Sequence, residues 1–365
     1  MDETRPRKSW LPRVLLFLVL LLVGAEVAVR VDDWRAGRTA DFYLPPRLFE
    51  DGMYKSHPFT GITLKPNFKR EGGQYSFSIN ALGMRSAEMS AKKPPGVYRI
   101  FCLGGSTTYG TGATSNDKTY PAQMERLLNK LAQEGHAPPG RRYEVGNCGV
   151  SGWSSVENLI NLELKLVEFE PDAILVYDAV NDGRMIQAKG FVPDYSHLRI
   201  SLSVVTLSPF ERFLLGHVRL YARLTRGTEP DSQSGKLANY LFVPNADDLA
   251  IPSKDWINED GLRVLQRNEA SMIGVARQHG IQPVLSTMAV RDPTSNYLGA
   301  YMVRANQSLR ELAKQDDVPL IDVDKELSNQ PELYDDWVHF NDKGEQRHAQ
   351  VVVERALKLG LFGLH

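Results

Sequence analysis

Cysteine is almost missing from this chain of 365 residues: only Cys102 and Cys148 occur, and no zinc spacing or disulfide framework can be built from two. Both fall in apolar segments of strand length, where two buried free thiols are the simpler reading and a bridge between neighbouring strands the alternative. Charge of one sign is lacking as well. The 43 basic and 44 acidic side chains leave a formal net charge of -1, and without a basic stripe there is no electrostatic footprint for nucleic acid. No internal repeat or long low-complexity tract occurs.

Long apolar runs are confined to the first thirty residues. "MDETRPRKSWLPRVLLFLVLLLVGAEVAV" sets Arg5, Arg7, Lys8 and Arg13 ahead of an apolar run from Val14 to Ala25, which Glu26 ends. A spanning helix takes about 20 apolar residues, a length reached only if Val27 to Val29 are counted. The basic flank favours an uncleaved anchor, single pass, with the rest of the chain extracytoplasmic. Cleavage at the small residues Val23-Gly24-Ala25 would instead release a secreted protein, and a buried cytosolic helix is the third reading.

Residues 31–95 read as a short stalk and a small β-rich lead-in. "YLPPRLFE" and "KSHPF" are loop signals, "GQYSFSI" alternates like a strand, and "NALG" supplies a turn. No chemistry is visible there. From residue 96 to 365, apolar runs of strand length ("YRIFCL", "RYEVGN", "AILVYD", "QPVLSTM", "VPLIDV") alternate with helix-period segments. Strands without polar alternation, separated by amphipathic helices, predict a five-strand parallel sheet in an α/β/α sandwich. An irregular interval at 185–266, after the third of these strands, reads as an insertion: a cap over the active-site edge, a surface leaning on the membrane, or an ordinary helical addition.

In an open parallel sheet, ligands bind beyond the carboxyl ends of the strands. Four segments are predicted to gather on that edge: "GGSTTYG", "NCGVSGWSS", "DAVNDGR" and "DDWVHFNDKG". In the first, Gly104 and Gly105 permit a tight turn, and Ser106 stands at the start of a helical stretch, as a nucleophile or as the helix N-cap. A phosphate loop would need a lysine where Thr111 stands, the spacing is not G-x-G-x-x-G, and the G-x-S-x-G elbow fails at Thr108. A serine nucleophile needs a base. Of eight histidines, His339 is best placed, three residues after Asp336, whose carboxylate can hold the imidazole; Asp335 is an alternative carboxylate, and a metal pair of Asp336 with His339 a rival reading. Asn181 and the backbone N–H groups of Ser106 and Gly152 are the candidate oxyanion donors, of a kind typically contributing about 3 to 4 kcal/mol each.

With "GGSTTYG", "NCGVSGWSS", "AVND" and "DWVH" in this order, the chain from about Tyr98 onward resembles the SGNH hydrolase family, the GDSL-like lipases and acylhydrolases. The resemblance implies a flavodoxin-like three-layer sandwich, Ser106 as nucleophile, Gly152 and Asn181 as oxyanion donors, and Asp336 with His339 completing a triad. It implies hydrolysis or transfer of acyl groups on esters, thioesters, lipids or acylated sugars, with no metal or organic cofactor. Two positions depart from the family pattern. Gly105 replaces the usual Asp before the serine, and Ala179 replaces the Gly of Gly-x-Asn-Asp, which is expected to crowd the oxyanion loop slightly. The expected activity is that of a membrane-tethered serine esterase acting outside the cytoplasm. The alternatives are an acyltransferase on cell-surface glycans with the same triad, and a non-catalytic glycan or lipid binding module.

Overall fold

Buried parallel strands dispense with polar alternation because both faces are covered, and that pattern becomes a sheet here. The structure is a computed structural model that describes residues 10–38, 52–188, 190–198, 208–226, 257–294 and 298–365. Arg5, Arg7, Lys8, "YLPPRLFE" and, within the interval 185–266, residues 189, 199–207 and 227–256, "GTEPDSQSGK" included, lie outside the described residues. Two compact units divide the chain, one formed by 1–47 with 200–238 and the other by the remainder.

In the smaller unit, helix α1 (Leu11–Arg35) is long and apolar enough to cross a membrane by length and composition. It runs through Arg35, beyond the apolar run and into residues read from sequence as stalk. Charged side chains on its last turns explain the extension, because they have partners in the insertion. Helices α6 (Pro209–His217) and α7 (Arg219–Arg226) belong to this unit. Glu26 accepts the backbone N–H groups of Arg219 and Leu220 at 2.9 and 2.7 Å, where α7 begins, and Asp33 pairs with Arg38 and Arg223. Unpaired N–H groups at a helix start favour a carboxylate there.

The larger unit opens with the lead-in. Strand β1 (Tyr54–His57) pairs antiparallel with β2 (Gly61–Leu64), and β3 (Lys69–Arg70) with β4 (Phe77–Ser78). The strand read at "GQYSFSI" shrinks to two residues because the Asn80 side chain takes over, accepting from the N–H groups of Leu82 and Met84 to close the turn. The main sheet comprises β5 (Val97–Gly104), β6 (Arg142–Asn147), β7 (Ala173–Tyr177), β8 (Gln282–Ser286) and β9 (Leu320–Ile321). Its order is β6-β5-β7-β8-β9 and every pairing is parallel. Helices α3 (Tyr120–Gln133), α4 (Ser155–Leu164), α8 (Glu259–Gln278), α9 (Gly299–Gln315) and α11 (Asp342–Leu359) flank it; the short α2 (Ser106–Tyr109), α5 (Val180–Ile186) and α10 (Val323–Leu327) follow strand ends. Helix α8 starts inside the interval read as insertion, because Asn258 caps it by accepting the N–H of Gly261.

Side-chain alternation along β5 divides the core. Ile100 and Cys102 join Tyr120, Met124, Tyr301 and Val352 on one face, while Phe101 and Leu103 join Leu162, Met272 and Ile273 on the other. Cys102 and Cys148 are both buried free thiols. Arg99 is buried in the middle of this pattern without disrupting it, because it donates to Glu144, to the carbonyls of Ser90 and Ala91 in the lead-in, and to the carbonyl of Phe169.

A second buried charge-bearing group sits on α11. Glu345 is 1% exposed, and its carboxylate accepts the N–H of Tyr120 at 2.7 Å. Burial pushes its pKa up to about 8 from 4.5, against the Tyr120 N–H and Arg85. An unfolded chain loses this proton near 4.5 while the folded chain keeps it to about 8, so stability falls as pH climbs through that window. Glu345→Gln keeps an acceptor and removes the ionisation. Its melting temperature relative to the parent should be higher at about pH 9 than at about pH 5, by on the order of 5 °C; equal differences in thermal melts at the two pH values would contradict this.

Candidate active site

A sheet in this order reverses direction of winding between β5 and β7, and ligands bind in the crevice beyond that pair. The carbonyl of Tyr177, at the end of β7, stands so close to Gly104 that a Cβ there would lie 2.2 Å from it. At Gly105 a Cβ would lie 2.6 Å from the Asn181 amide nitrogen. Only glycines let the chain pass this point, and only then does α2 begin. Ser106 is the first residue of α2 and Gly105 occupies the cap position, without a side-chain capping bond. The serine is therefore not used as an N-cap, and its Oγ lies 2.7 Å from His339 Nε2.

His339 sits between β9 and α11 in a hairpin turn, closed by a bridge between Tyr334 and Phe340 and by the N–H of Asp335 donating to the His339 carbonyl at 2.9 Å. That turn aims Asp336 at the ring. Oδ2 of Asp336 is 2.6 Å from His339 Nδ1, and Oδ1 accepts the N–H groups of Val338 and His339 at 2.8 Å each. Partial burial works to raise the pKa of Asp336, but the hydrogen bonds and charge of His339 and the Val338 N–H prevail and bring it down to about 2. Asp335 shows no bond to the ring; burial pushes its pKa up, and the charge of Asp336 adds to this. Of the preferred carboxylate Asp336 and the alternative Asp335, the structure brings only Asp336 to the ring.

Asn181 is on the first turn of α5, directly after β7. Its Nδ2 donates one hydrogen bond to the carbonyl of Trp153 at 2.8 Å. Ala179, where the family pattern has glycine, is fully buried with φ of 100°. A non-glycine residue held in this region stores roughly 1 to 3 kcal/mol of strain, so what the structure shows of the departure is an effect on the backbone. Gly152 has φ of 87° and borders the same cavity. Behind the loops, Asp182 accepts from the N–H and Oγ of Ser155 and from the Tyr195 hydroxyl, tying the β6 and β7 loops together. Burial pushes its pKa up despite those bonds.

Ser106, His339, Asn181 and Gly152 line one cavity of about 550 Å³. Its remaining wall holds what the sequence did not disclose. Tyr54, Arg70, Phe77 and Arg85 come from the lead-in, the segment in which no chemistry was visible, and Arg184 adds a further guanidinium group from α5. Arg85 donates to the carbonyls of Tyr109, Gly110 and Ala113 at 3.3, 2.6 and 3.0 Å, holding the turn that follows α2. It has no motif, and in "GMRSAE" reads as an ordinary surface charge. Among the described residues, no group of three or more His, Cys, Asp or Glu side chains is placed to hold a metal ion.

A family model described as GDSL-like Lipase/Acylhydrolase matches residues 102–347. Among solved structures, the acetyl xylan esterase AlAXEase is 16% identical, with 70% of this chain and 98% of that chain covered and a TM-score of 0.41. TesA is 18% identical over 72% of this chain and 99% of its own, with a TM-score of 0.42. The lipase/acylhydrolase from Enterococcus faecalis is 13% identical over 71% and 95%, with a TM-score of 0.41. No curated protein matches the chain.

Proposed function

The chain belongs to the GDSL-like lipase/acylhydrolase family and is a serine ester hydrolase, and on that premise we propose that it cleaves an acyl ester through Ser106, His339 and Asp336, on the outer side of a membrane to which α1 tethers it. The observation that carries this reading is the unbroken contact from Ser106 Oγ to His339 Nε2 at 2.7 Å and from His339 Nδ1 to Asp336 Oδ2 at 2.6 Å. As Oγ attacks the ester carbonyl, His339 Nε2 takes its proton, and Asp336 stabilises the imidazolium and fixes its orientation. The oxyanion faces the second N–H of the Asn181 amide and the backbone N–H groups of Gly152 and Ser106. Collapse expels the alcohol, protonated by His339. Water then attacks the acyl-enzyme, again giving its proton to His339, and the acid leaves as Ser106 regains its own.

The full chain in detergent micelles, exposed to a fluorophosphonate, should gain one adduct by intact mass, mapped to Ser106. An unlabelled folded protein, or an adduct on another serine, would sink the assignment. Asn181→Ala is expected to lower kcat on p-nitrophenyl acetate by about 10²- to 10³-fold with little change in KM, since the lost amide would act on charge present only in the transition state. A change confined to KM would instead make Asn181 a ground-state binding residue.

A further inference from the structure

Phe210 and Phe213 stand three residues apart on α6, 70% and 54% exposed, on the side turned away from the buried Leu215. Phe213 stacks on His217 of the same face, with ring centroids 4.5 Å apart. A helix face that turns aromatic rings outward calls for a covering, and its place beside α1 tells which one. Helix α6 ends and α7 begins where the apolar run of α1 stops: Arg30 donates to the His217 carbonyl at 2.6 Å, and Glu26 accepts the N–H groups of Arg219 and Leu220. Val218, in extended conformation, makes the corner between the two helices. From there α7 follows the charged end of α1, where Arg223 pairs with Asp32 and Asp33.

Trp10 and Trp34 bracket α1, both exposed and about 36 Å apart at about 1.5 Å per residue, which fits a hydrocarbon core of about 30 Å with an indole at each headgroup boundary. The corner of α6 and α7, beside Glu26 and Arg30, falls between the last apolar residues and Trp34, and so at the depth of one boundary. A carboxylate this close to hydrocarbon needs partners, and Glu26 has two N–H donors of α7 and the Arg30 guanidinium. Arg223 is engaged within the unit, and the outward groups of α6 are rings, so the covering they fit is the boundary between headgroups and acyl chains. We propose that α6 and α7 form a membrane seat: α6 lies on the outer leaflet beside α1, with Phe210 and Phe213 among headgroups and upper acyl chains, and α7 fastens it to α1. This is the membrane-leaning reading of the insertion, given a place and a depth. It rests on α1 spanning the bilayer, and its test is arranged to fail separately from that reading.

Cys102 and Cys148 are buried, so an introduced surface thiol can be labelled selectively. The full chain carrying Phe210→Cys, Phe213→Cys or, within the apolar run of α1, Val19→Cys is labelled with an environment-sensitive dye and reconstituted in phosphatidylcholine vesicles. Fluorescence is quenched from water by iodide and from lipid by doxyl groups placed near the headgroup or deep in the acyl chain. Iodide should quench both α6 labels roughly fivefold less steeply than the dye's glutathione adduct, as side chains about 5 to 10 Å into the boundary would be. Shallow doxyl groups should quench them more than deep ones, and the Val19→Cys label should show the reverse order. Iodide quenching of both α6 labels as steep as that of the adduct, with the Val19→Cys label quenched from lipid, overturns the seat and leaves the anchor standing. Shielding from iodide without quenching from lipid also overturns it, since protein and not lipid would then cover the face. Absence of lipid quenching at all three positions overturns the anchor and the seat together.

Discussion

Replacing Ser106 by alanine should lower ester hydrolysis by about six orders of magnitude in kcat, and replacing His339 by alanine should cost nearly as much. In the proposed mechanism the two side chains act as one device, because the proton that leaves Oγ passes to His339 across the 2.7 Å contact. For that reason the double variant should be no slower than either single one, with a residual rate about 10³-fold above the uncatalysed reaction from oxyanion binding and positioning. Steady-state rates on one soluble ester, with circular dichroism to verify folding, decide the matter. Activity of Ser106→Ala within about tenfold of the parent would remove the serine from the mechanism, and a double variant whose loss equals the product of the single losses would mean that the two residues act independently.

The second large effect separates neighbours in the chain. Asp336→Asn should lower kcat by about 10⁴-fold, because an amide in that place can present an N–H to Nδ1 and hold the wrong tautomer. Asp335→Asn should stay within about threefold, since its carboxyl makes no contact with the ring. Rates of the two variants on the same ester test this directly, and equal losses would show that the acidic pair acts through its combined charge. The pH profile offers a further check. With its pKa held down to about 2, Asp336 is ionised throughout the range in which the enzyme can be assayed, so the acid-side fall in activity does not come from this group. Its folding contribution is present above its ordinary value of 3.8 and is lost as pH falls towards 2, and partial exposure keeps that contribution small.

The sheet was readable in the sequence because β5, β7 and β8 are buried on both faces, and such strands appear as unbroken apolar runs. The glycines before Ser106 were readable for a related reason: close approach to Tyr177 and Asn181 leaves no room for a side chain, and a paired glycine before a serine is conspicuous. Arg85 and Arg99 were not readable. A charged residue in a sequence suggests solvent, and only the folded arrangement of carbonyls that satisfies each guanidinium makes burial tolerable. Asp336 was the carboxylate favoured by spacing and resemblance, with Asp335 not excluded, and what the sequence could not show is the hairpin at Tyr334 and Phe340 that turns Asp336 towards the ring. Ala179 gave its identity but not its conformation: the positive φ belongs to the turn between β7 and α5, which alanine adopts under strain.

The cavity wall has two authors in the chain. Ser106, Gly152, Asn181 and His339 all fall within residues 102–347, the portion matched by the family model, whereas Tyr54, Arg70, Phe77 and Arg85 all precede it. In the proposed mechanism, bond breaking is inherited with the common scaffold, while much of the surface that would meet the incoming molecule is written in a separate strap ahead of it. Drift or exchange in that strap can change the diet of such an enzyme while its reaction stays the same.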